Sequence, residues 1–343
     1  MSDEVDVLVI GAGHGGLAMG HHLDRLGRRY LIVDRAPRVG TSWRERWTSL
    51  HLFTAAVVSG LPGLPMAIAD PFPSKDQVAD YQERYVAWRG LALRLGVDVR
   101  RVRPVPDGYV AETGSGPLFT RRVVVATGIY RDPRVPPWAA DLTPDVFQTH
   151  ASRYRDPAGV PGQRVLVVGT GASGCEIALD LARTRPVLLA AGSRRPLAPP
   201  WFSSVLAWRI AWLRDQVLRD RDLPLPWPLR AGRFEPRALG RAVREGRIEI
   251  VPRAVASTDG EVVCADGRRV AADAIVWATG YRPEFGWIDG LADLPRDARG
   301  VPSRTLLERG DLHVLTGRFL YALVRQAGEV ARVLRDSRAE RSR

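Results

Sequence analysis

Short runs of apolar, often β-branched residues recur along the chain, and several of them stop at a glycine. Val5–Ile10 is the first such run, and its continuous apolar character before Gly11 predicts a buried strand. Residues 14–26 then place apolar side chains at helical spacing, which predicts an amphipathic helix. Tyr30–Val33 is a second apolar run and leads directly into Asp34. This order of segments predicts a βαβ unit.

The same order of segments returns in the second half of the sequence. Val165–Val168 predicts a strand, and Gly169–Gly174 forms a glycine-rich loop after it. Residues 175–182 predict a helix, and Val187–Ala190 predicts the next strand. An internal repeat of this length is far longer than a solenoid repeat and therefore predicts two similar α/β domains.

A later strand in each half ends in the tripeptide Ala-Thr-Gly, at residues 126–128 and again at residues 278–280. The two turns are separated by nearly the same distance in sequence as the two glycine loops. The sequence therefore predicts an α/β fold with two Rossmann-like dinucleotide-binding domains, the second inserted in the first. We expect residues 1–155 and 270–343 to form the outer domain and residues 156–269 to form the inserted one.

The first glycine loop, Gly11–Gly16, matches the pattern G-x-G-x-x-G between a predicted strand and a predicted helix. In this pattern, Gly11 allows the tight turn, Gly13 lets a diphosphate approach the backbone, and Gly16 lets the helix pack closely on the strand. The helix N-terminus offers free N–H donors to the phosphates. Asp34 ends the next strand, where a carboxylate hydrogen-bonds ribose hydroxyls. These features predict a dinucleotide site.

The second glycine loop has the same pattern but differs at the end of the following strand, where no acidic residue stands. The residues there read Ala191-Gly192-Ser193-Arg194-Arg195. An acid there would repel a ribose 2′-phosphate, whereas arginine binds phosphate bidentately and Ser193 adds a hydroxyl donor. We therefore expect this site to prefer NADPH over NADH. The alternative is that the two arginines stand there because arginine is abundant in the whole chain.

Composition adds three constraints. The formal net charge is +12, but Lys75 is the only lysine among 50 basic residues, and the arginines are spread along the chain rather than clustered as in nucleic-acid-binding proteins. The two cysteines form no CxxC pair, which argues against a disulfide scaffold, a zinc site and a dithiol redox centre. No signal peptide and no run of 18 apolar residues is present, so we expect a cytoplasmic protein.

One segment, residues 201–213, is rich in tryptophan. Trp201, Val205, Trp208 and Trp212 recur at helical spacing. Three interpretations stay open: a packing face, a hydrophobic wall of a substrate cleft, or an interfacial helix in weak contact with a membrane surface, which neighbouring arginines would support.

Together, these motifs resemble the class B flavoprotein monooxygenases, which include the flavin-containing monooxygenases, the plant auxin-forming relatives and bacterial flavoprotein oxidoreductases. The resemblance covers most of the chain. It rests on the two glycine loops and two Ala-Thr-Gly turns, and further on Asp34-Arg35, Val39–Arg44, Phe72–Gln77 and His150–Tyr154. The sequence departs from the family at Pro144 and Val146 in the linker, has Asp34 where glutamate is commoner, and has a short segment after Arg309.

The resemblance implies that the outer domain binds FAD and the inserted domain binds NADPH. It also implies that Trp43 and Arg44 lie near the flavin and that the Ala-Thr-Gly turns bring bare backbone against the cofactors. The expected cofactor-binding residues are Gly11, Gly13, Gly16, Asp34, Arg35, Ser42, Trp43, Arg44, Ala126, Thr127, Gly128, Gly169, Gly171, Ser173, Gly174, Ser193, Arg194, Arg195, Thr279 and Gly280.

The implied function is a monooxygenase in which NADPH reduces the flavin, O₂ gives a flavin hydroperoxide, and one oxygen passes to a small organic substrate at nitrogen, sulfur or a carbonyl carbon. Because the flavin carries this chemistry, the sequence assigns no catalytic side chain and no metal ligand. Two alternatives stay open: an FAD-dependent NADPH reductase or oxidase that does not oxygenate, and an arginine-rich protein that binds nucleic acid or anionic membrane.

Overall fold

Two sheets with largely parallel cores organise the fold, and each contains one of the predicted strand–glycine–helix units. The structure is a computed structural model, and the residues it describes are 5–52, 54–191, 236–290, 311–315 and 320–340. Ser193, Arg194 and Arg195, and the tryptophan-rich segment 201–213, lie outside the described residues.

The first sheet has the strand order β3-β2-β1-β6-β5-β4, with β17 also paired to β6. Its strands β1, β2, β3 and β17 run parallel to their neighbours, whereas β4, β5 and β6 form an antiparallel meander. Their bounds are β1 Val5–Ile10, β2 Tyr30–Asp34, β3 Leu93–Leu95, β4 Val99–Val105, β5 Gly108–Thr113, β6 Gly116–Val125 and β17 Leu312–Val314.

The second sheet is fully parallel and has the order β11-β10-β9-β15-β8. Its strands are β8 Phe147–His150, β9 Val165–Val168, β10 Val187–Ala190, β11 Ile248–Val251 and β15 Ala274–Trp277. This order, with the first strand of the unit at the centre, is that of a doubly wound nucleotide-binding sheet.

Two strands of this sheet come from outside the residues 156–269 that we expected to form the inserted domain. Both β8 and β15 pair in the second sheet, although their residues fall in the ranges that we assigned to the outer domain. The parallel β-strand pattern alone does not say which of two sheets a strand joins, because either sheet buries both faces of its strands.

Two small sheets complete the set. β12 Ala254–Thr258, β13 Glu261–Cys264 and β14 Arg269–Val270 form an antiparallel sheet. β7 Asp132–Pro133 pairs antiparallel with β16 Tyr281–Arg282. This last pair stands where the chain crosses from the first sheet to the second and back, so the two crossings are hydrogen-bonded to each other.

The helices cover the sheets and pack through apolar faces. Their bounds are α1 His14–Arg25, α2 Thr41–Arg44, α3 Lys75–Arg89, α4 Ala172–Leu181, α5 Pro236–Arg244 and α6 Leu320–Glu340, with 3-10 turns at Ala56–Val58, Pro137–Asp141 and Pro157–Gly159. α3 begins with a capping box between Ser74 and Gln77, in which each side chain accepts from the other's backbone N–H. Within the described part of the chain, no helix is both long and apolar enough to cross a membrane.

The core has a separate hydrophobic cluster on each side of the two main sheets. α1, β1 and α6 share one cluster, and β9, α4 and β15 share another. Trp47 and Leu50, which follow α2 in the first half of the chain, are buried in the second cluster. The predicted fold class, α/β with two Rossmann-like domains of which one is inserted in the other, is confirmed.

Candidate functional site

The first glycine corner, Gly11–Gly16, turns the chain from β1 into α1 with almost no space around two of its glycines. Gly11 has φ +110°, and a Cβ there would lie 2.5 Å from the Ala126 carbonyl oxygen. A Cβ at Gly16 would overlap the Gly11 carbonyl oxygen. Only glycine satisfies both positions, because a left-handed φ and a backbone contact this close exclude side chains.

The middle glycine of this corner is different, because the space beside it is open. A Cβ at Gly13 would meet no atom within 4 Å. Gly13 is also the N-cap residue of α1 and leaves the first turn without a side-chain cap. The free N–H groups and the positive end of the helix dipole therefore face an open space, which is what a diphosphate requires. The first glycine corner fits a dinucleotide.

Asp34 stands at the edge of this corner with its carboxylate held by the backbone. Its Oδ2 accepts from the Ala12 N–H at 2.6 Å, and its Oδ1 accepts from the Ala36 N–H at 2.8 Å. Each carboxylate oxygen has a further lone pair, so the group can still accept from ribose hydroxyls. Arg35, the next residue, is exposed.

The second glycine corner, Gly169–Gly174, repeats this geometry closely. Gly169 has φ +115°, and a Cβ there would lie 2.6 Å from the Ala278 carbonyl oxygen. A Cβ at Gly174 would overlap the Gly169 carbonyl oxygen, whereas one at Gly171 would meet nothing within 4 Å. Gly171 is the N-cap residue of α4, and no side chain caps that helix. A second diphosphate fits here.

The backbone hydrogen bonds show which residues correspond in the two corners. The Gly11 N–H donates to Val33 at 2.7 Å, and the Gly169 N–H donates to Ala190 at 3.0 Å. The residue after Val33 is Asp34, so its counterpart is Ala191. The second corner therefore has a methyl group in place of the carboxylate. A ribose phosphate at this position would have more space and would not be repelled by a negative charge.

Both Ala-Thr-Gly turns lie beside the corners. The Ala126 N–H donates to Ile10 at 2.8 Å, and the Ala278 N–H donates to Val168 at 2.9 Å. These bonds bring each turn against the first glycine of its corner. Gly128 and Gly280 both have left-handed φ, at +74° and +86°.

The second turn is also tied to the crossing strand β7. The Thr279 hydroxyl donates to the Arg134 carbonyl, and the Arg134 N–H donates to the Gly280 carbonyl at 2.9 Å. His150 donates to the same Gly280 carbonyl through Nε2 at 3.0 Å, because its Nδ1 accepts from the Ser152 N–H at 3.1 Å. Burial lowers the pKa of His150 and favours this neutral form.

Tyr281 extends this contact toward the first half of the chain. Its ring lies edge-on to the His150 ring, with 5.0 Å between the centroids. Arg46, which follows α2, donates from Nη1 to the Tyr281 hydroxyl at 2.8 Å. The segment after α2 therefore holds the crossing between the two sheets in place.

α2 carries the residues expected near the flavin. Trp43 is partly buried and contacts the hydrophobic clusters of both halves. The Arg44 guanidinium pairs with Asp80 at 2.6 Å and with Glu83 at 3.3 Å, both on α3. Lys75 is buried and donates from Nζ to the Arg44 carbonyl at 3.1 Å, so its charge stabilises the C-terminus of α2. Ser42 is exposed.

Several buried titratable groups of the two halves are held in uncharged forms. His14, in the first glycine corner, is fully buried, and this burial lowers its pKa to about 3, against a smaller opposing influence of the Gly60 carbonyl. Tyr154 donates its hydroxyl to Asp180 at 2.8 Å, and burial raises the pKa of Tyr154. Cys175 and Cys264 are both free and buried, and burial raises the pKa of Cys175 to about 12. Neither thiol is placed to act as a redox nucleophile.

The sequence did not assign Lys75 or Arg46 to the site. In the structure, Lys75 contacts the end of α2 and Arg46 contacts the Tyr281 hydroxyl. Lys75 had a usable signal, because a single lysine in a chain whose other basic residues are all arginine stands out from the composition. Arg46 had none, since its partner Tyr281 is more than 200 residues away.

Comparison with known proteins gives consistent matches. A family model described as pyridine nucleotide-disulphide oxidoreductase matches residues 8–193. The chain is 34% identical to an oxidoreductase described as CzcO-like from Geobacillus kaustophilus, over 88% of this chain and 87% of that protein. It is 29% identical to the indole-3-pyruvate monooxygenase YUCCA1 of Oryza sativa subsp. japonica, over 84% of this chain and 79% of that protein.

A solved structure gives the same result. The chain superposes on the flavin-containing monooxygenase from Stenotrophomonas maltophilia with a TM-score of 0.81 and 25% identity, covering 98% of this chain and 99% of that chain.

Proposed function

The chain belongs to the pyridine nucleotide-disulphide oxidoreductase family and, within it, to the flavin-containing monooxygenase-like proteins, and on this premise we propose that it is an FAD- and NADPH-dependent monooxygenase. FAD binds at the first glycine corner and NADPH at the second. The substrate is a small organic molecule that receives oxygen at nitrogen, sulfur or a carbonyl carbon, with O₂ as the co-substrate. A cytoplasmic location stays a prediction.

One observation carries this proposal: the chain has two uncapped helix N-termini, each facing an open space beside the middle glycine of a tight strand-to-helix corner. A single corner of this kind is common in nucleotide-binding proteins. Two of them, with matched glycines and matched Ala-Thr-Gly turns, support one enzyme that holds two dinucleotides.

The side chains beside the two corners determine which cofactor binds at each. Asp34 accepts from the ribose hydroxyls of FAD, in a position already set by the Ala12 and Ala36 N–H groups. Ala191 leaves the corresponding place free for the NADPH 2′-phosphate. When bound, FAD supplies the redox chemistry by taking electrons from NADPH and delivering them to O₂.

The remaining contacts keep the two domains in one arrangement. His150, Tyr281 and Arg46 tie the crossing strands to the segment after α2. Lys75 holds the end of α2, which carries Trp43 against both cores. These groups act by positioning, and none of them needs to gain or lose a proton to do so.

The family description includes disulphide chemistry, and this chain lacks the side chains for it. Its only two cysteines, Cys175 and Cys264, are buried and unpaired, and they lie on different elements of the second half. A disulphide reductase that works through its own dithiol needs two neighbouring, reactive thiols. Electron transfer from flavin to oxygen therefore fits this chain better than thiol exchange.

The test uses purified protein reconstituted with FAD. We expect a flavin absorption spectrum, NADPH oxidation, and an oxygenated product from at least one of three probes: a thioether, a tertiary amine and a cyclic ketone. Consumption of NADPH with all O₂ recovered as hydrogen peroxide for every probe would instead identify an oxidase. Failure to bind FAD would overturn the proposal altogether.

A further inference from the structure

We propose that Arg253 forms part of the 2′-phosphate pocket of the second glycine corner and contributes to a preference for NADPH over NADH. The inference rests on the proposed NADPH site. It adds a residue from a different strand than Ser193, Arg194 and Arg195, which the sequence pattern places after β10.

The register of the second sheet brings Arg253 to the edge where the cofactor binds. β10 and β11 run parallel, with Ala190 beside Val251, and the Ala191 N–H donates to the Val251 carbonyl at 2.9 Å. Arg253 follows Val251 by two residues. Since neighbouring strands are about 4.8 Å apart, an arginine side chain at this position is long enough to reach across the end of β10.

The internal repeat shows what stands at the same place in the FAD-binding half. There, β2 pairs with β3 so that Val33 lies beside Arg94, which corresponds to Ala190 beside Val251. Two residues beyond Arg94 is Gly96, with open space where a Cβ would be. The counterpart of Arg253 is therefore a glycine.

The two halves thus differ at two neighbouring positions, and both differences change charge in the same direction. The first half has Asp34 and Gly96, and the second has Ala191 and Arg253. One edge carries a carboxylate suited to ribose hydroxyls, and the other carries a guanidinium suited to a phosphate. Two aligned replacements on separate strands are better explained by one ligand than by arginine abundance.

Arg253 is also available for this role. Its side chain is exposed and has no hydrogen bond or ion pair with any residue that the structure describes. Arg268 and Arg269, on the adjoining small sheet, are paired instead with Glu249 at 2.7 Å and with Glu261 at 2.7 Å. The Arg253 carbonyl accepts from the Ala265 N–H at 2.8 Å, so its backbone is anchored.

The test compares two adenosine ligands that differ only in the 2′-phosphate: 2′,5′-ADP and 5′-AMP. Their dissociation constants are measured by calorimetry on the FAD-loaded protein and on Arg253→Ala. We expect 2′,5′-ADP to bind the variant about tenfold more weakly, as for loss of one charged hydrogen-bonding group, and 5′-AMP to bind unchanged. Arg253→Lys keeps the charge but loses the bidentate guanidinium, so its affinity for 2′,5′-ADP should lie between those of the unaltered protein and Arg253→Ala.

Arg183→Ala is the matched control. Arg183 is exposed and has no side-chain hydrogen bond or ion pair with any described residue. It follows the C-terminus of α4, so it lies at the opposite end of the strands of the same sheet. The Arg183→Ala substitution removes the same charge as Arg253→Ala, and we expect it to leave the dissociation constants of both ligands unchanged. An equal loss in the Arg183 and Arg253 variants would show a general charge effect and overturn the inference.

The outcomes also separate this inference from the proposed function. The unaltered protein could prefer 2′,5′-ADP while Arg253→Ala and Arg253→Lys bind this ligand as tightly as the unaltered protein does. In that case the NADPH site stands and Arg253 has no part in it. If the unaltered protein binds neither ligand, the NADPH site and the role of Arg253 fall together.

Discussion

The two glycine corners of this chain share one backbone design and differ in the groups around it. In both, the first and third glycines touch backbone carbonyls and the middle glycine faces open space. Around them, Asp34 gives way to Ala191, and the buried His14 gives way to the exposed Ala172. We infer that steric requirements determine the shape of each corner and that the few side chains around it determine which nucleotide binds.

The corners also differ in how deeply they sit. Gly15 packs against Leu315, which follows β17, and Leu323 of α6, which would lie 3.2 Å and 3.3 Å from an added Cβ. Gly171 and Ala172 at the start of α4 are instead exposed. A buried corner suits a cofactor that stays bound, and an open corner suits one that enters and leaves in every cycle. We therefore expect FAD to remain with the protein through purification and NADPH to be lost.

The largest effect is expected from the third glycine of either corner. Gly16→Ala and Gly174→Ala each place a Cβ onto a backbone carbonyl oxygen, so helix and strand must separate. We expect each to cost more than about 3 kcal/mol of unfolding free energy and to give little folded protein. Thermal unfolding followed by circular dichroism measures this.

Gly13→Ala is the control for this pair, since its Cβ meets only open space and its φ of −77° suits any residue. It should melt close to the unaltered protein. A Gly16→Ala variant that melted equally well would mean that the close approach is not required.

The next effect separates the two corners by ligand. Gly13→Val should weaken FAD binding and Gly171→Val should weaken 2′,5′-ADP binding, each by at least about 100-fold, because the side chain fills the space of the FAD diphosphate in the first corner and of the 5′-phosphate in the second. Each variant should keep its fold. Flavin absorbance and calorimetry report the two sites separately, and loss of both ligands in either variant would contradict two independent cradles.

A smaller, directional effect is expected where the corners differ in charge. Ala191→Asp gives the second corner the carboxylate of the first and should shift the ratio of NADPH to NADH affinity toward NADH by about tenfold to 100-fold, by repulsion of the 2′-phosphate. Ala191→Asn, of nearly the same shape but uncharged, is the control. An equal shift for Asn would point to size rather than charge.

The smallest effect concerns His14, which has no counterpart in the second corner. Its pKa is about 3 in the folded protein and about 6.5 when unfolded, so the unfolded chain binds the extra proton between these values. Its contribution to stability is complete above pH 6.5 and is lost progressively as the pH falls below that value, because protonation of the unfolded chain then favours unfolding.

Urea unfolding at pH 7, 6 and 5 tests this contribution. His14→Ala, which copies Ala172, should show a shallower loss of stability with acid by about one proton's worth. An unchanged slope would show that His14 is not held neutral. His22, whose pKa is also lowered by burial, to about 4, continues to titrate in both proteins.

Much of the fold and of the geometry of the two glycine corners was predictable from the amino-acid sequence. A glycine with positive φ, or one pressed against a carbonyl, is required by its immediate surroundings, so the pattern Gly11–Gly16 and its repeat carry the corner within a few residues. The buried strands are likewise predictable from their unbroken runs of apolar residues.

Other features arose only when distant segments met. β8 joins the second sheet, Arg46 reaches Tyr281, and Lys75 caps α2. The strand register fixes Ala191 as the counterpart of Asp34, and the pairing of β10 with β11 brings Arg253 to the same end of the second sheet. The glycine corners are determined by steric constraints within short stretches of the chain. The charge around them depends on which strand ends lie side by side, and only the packing of the whole domains determines this.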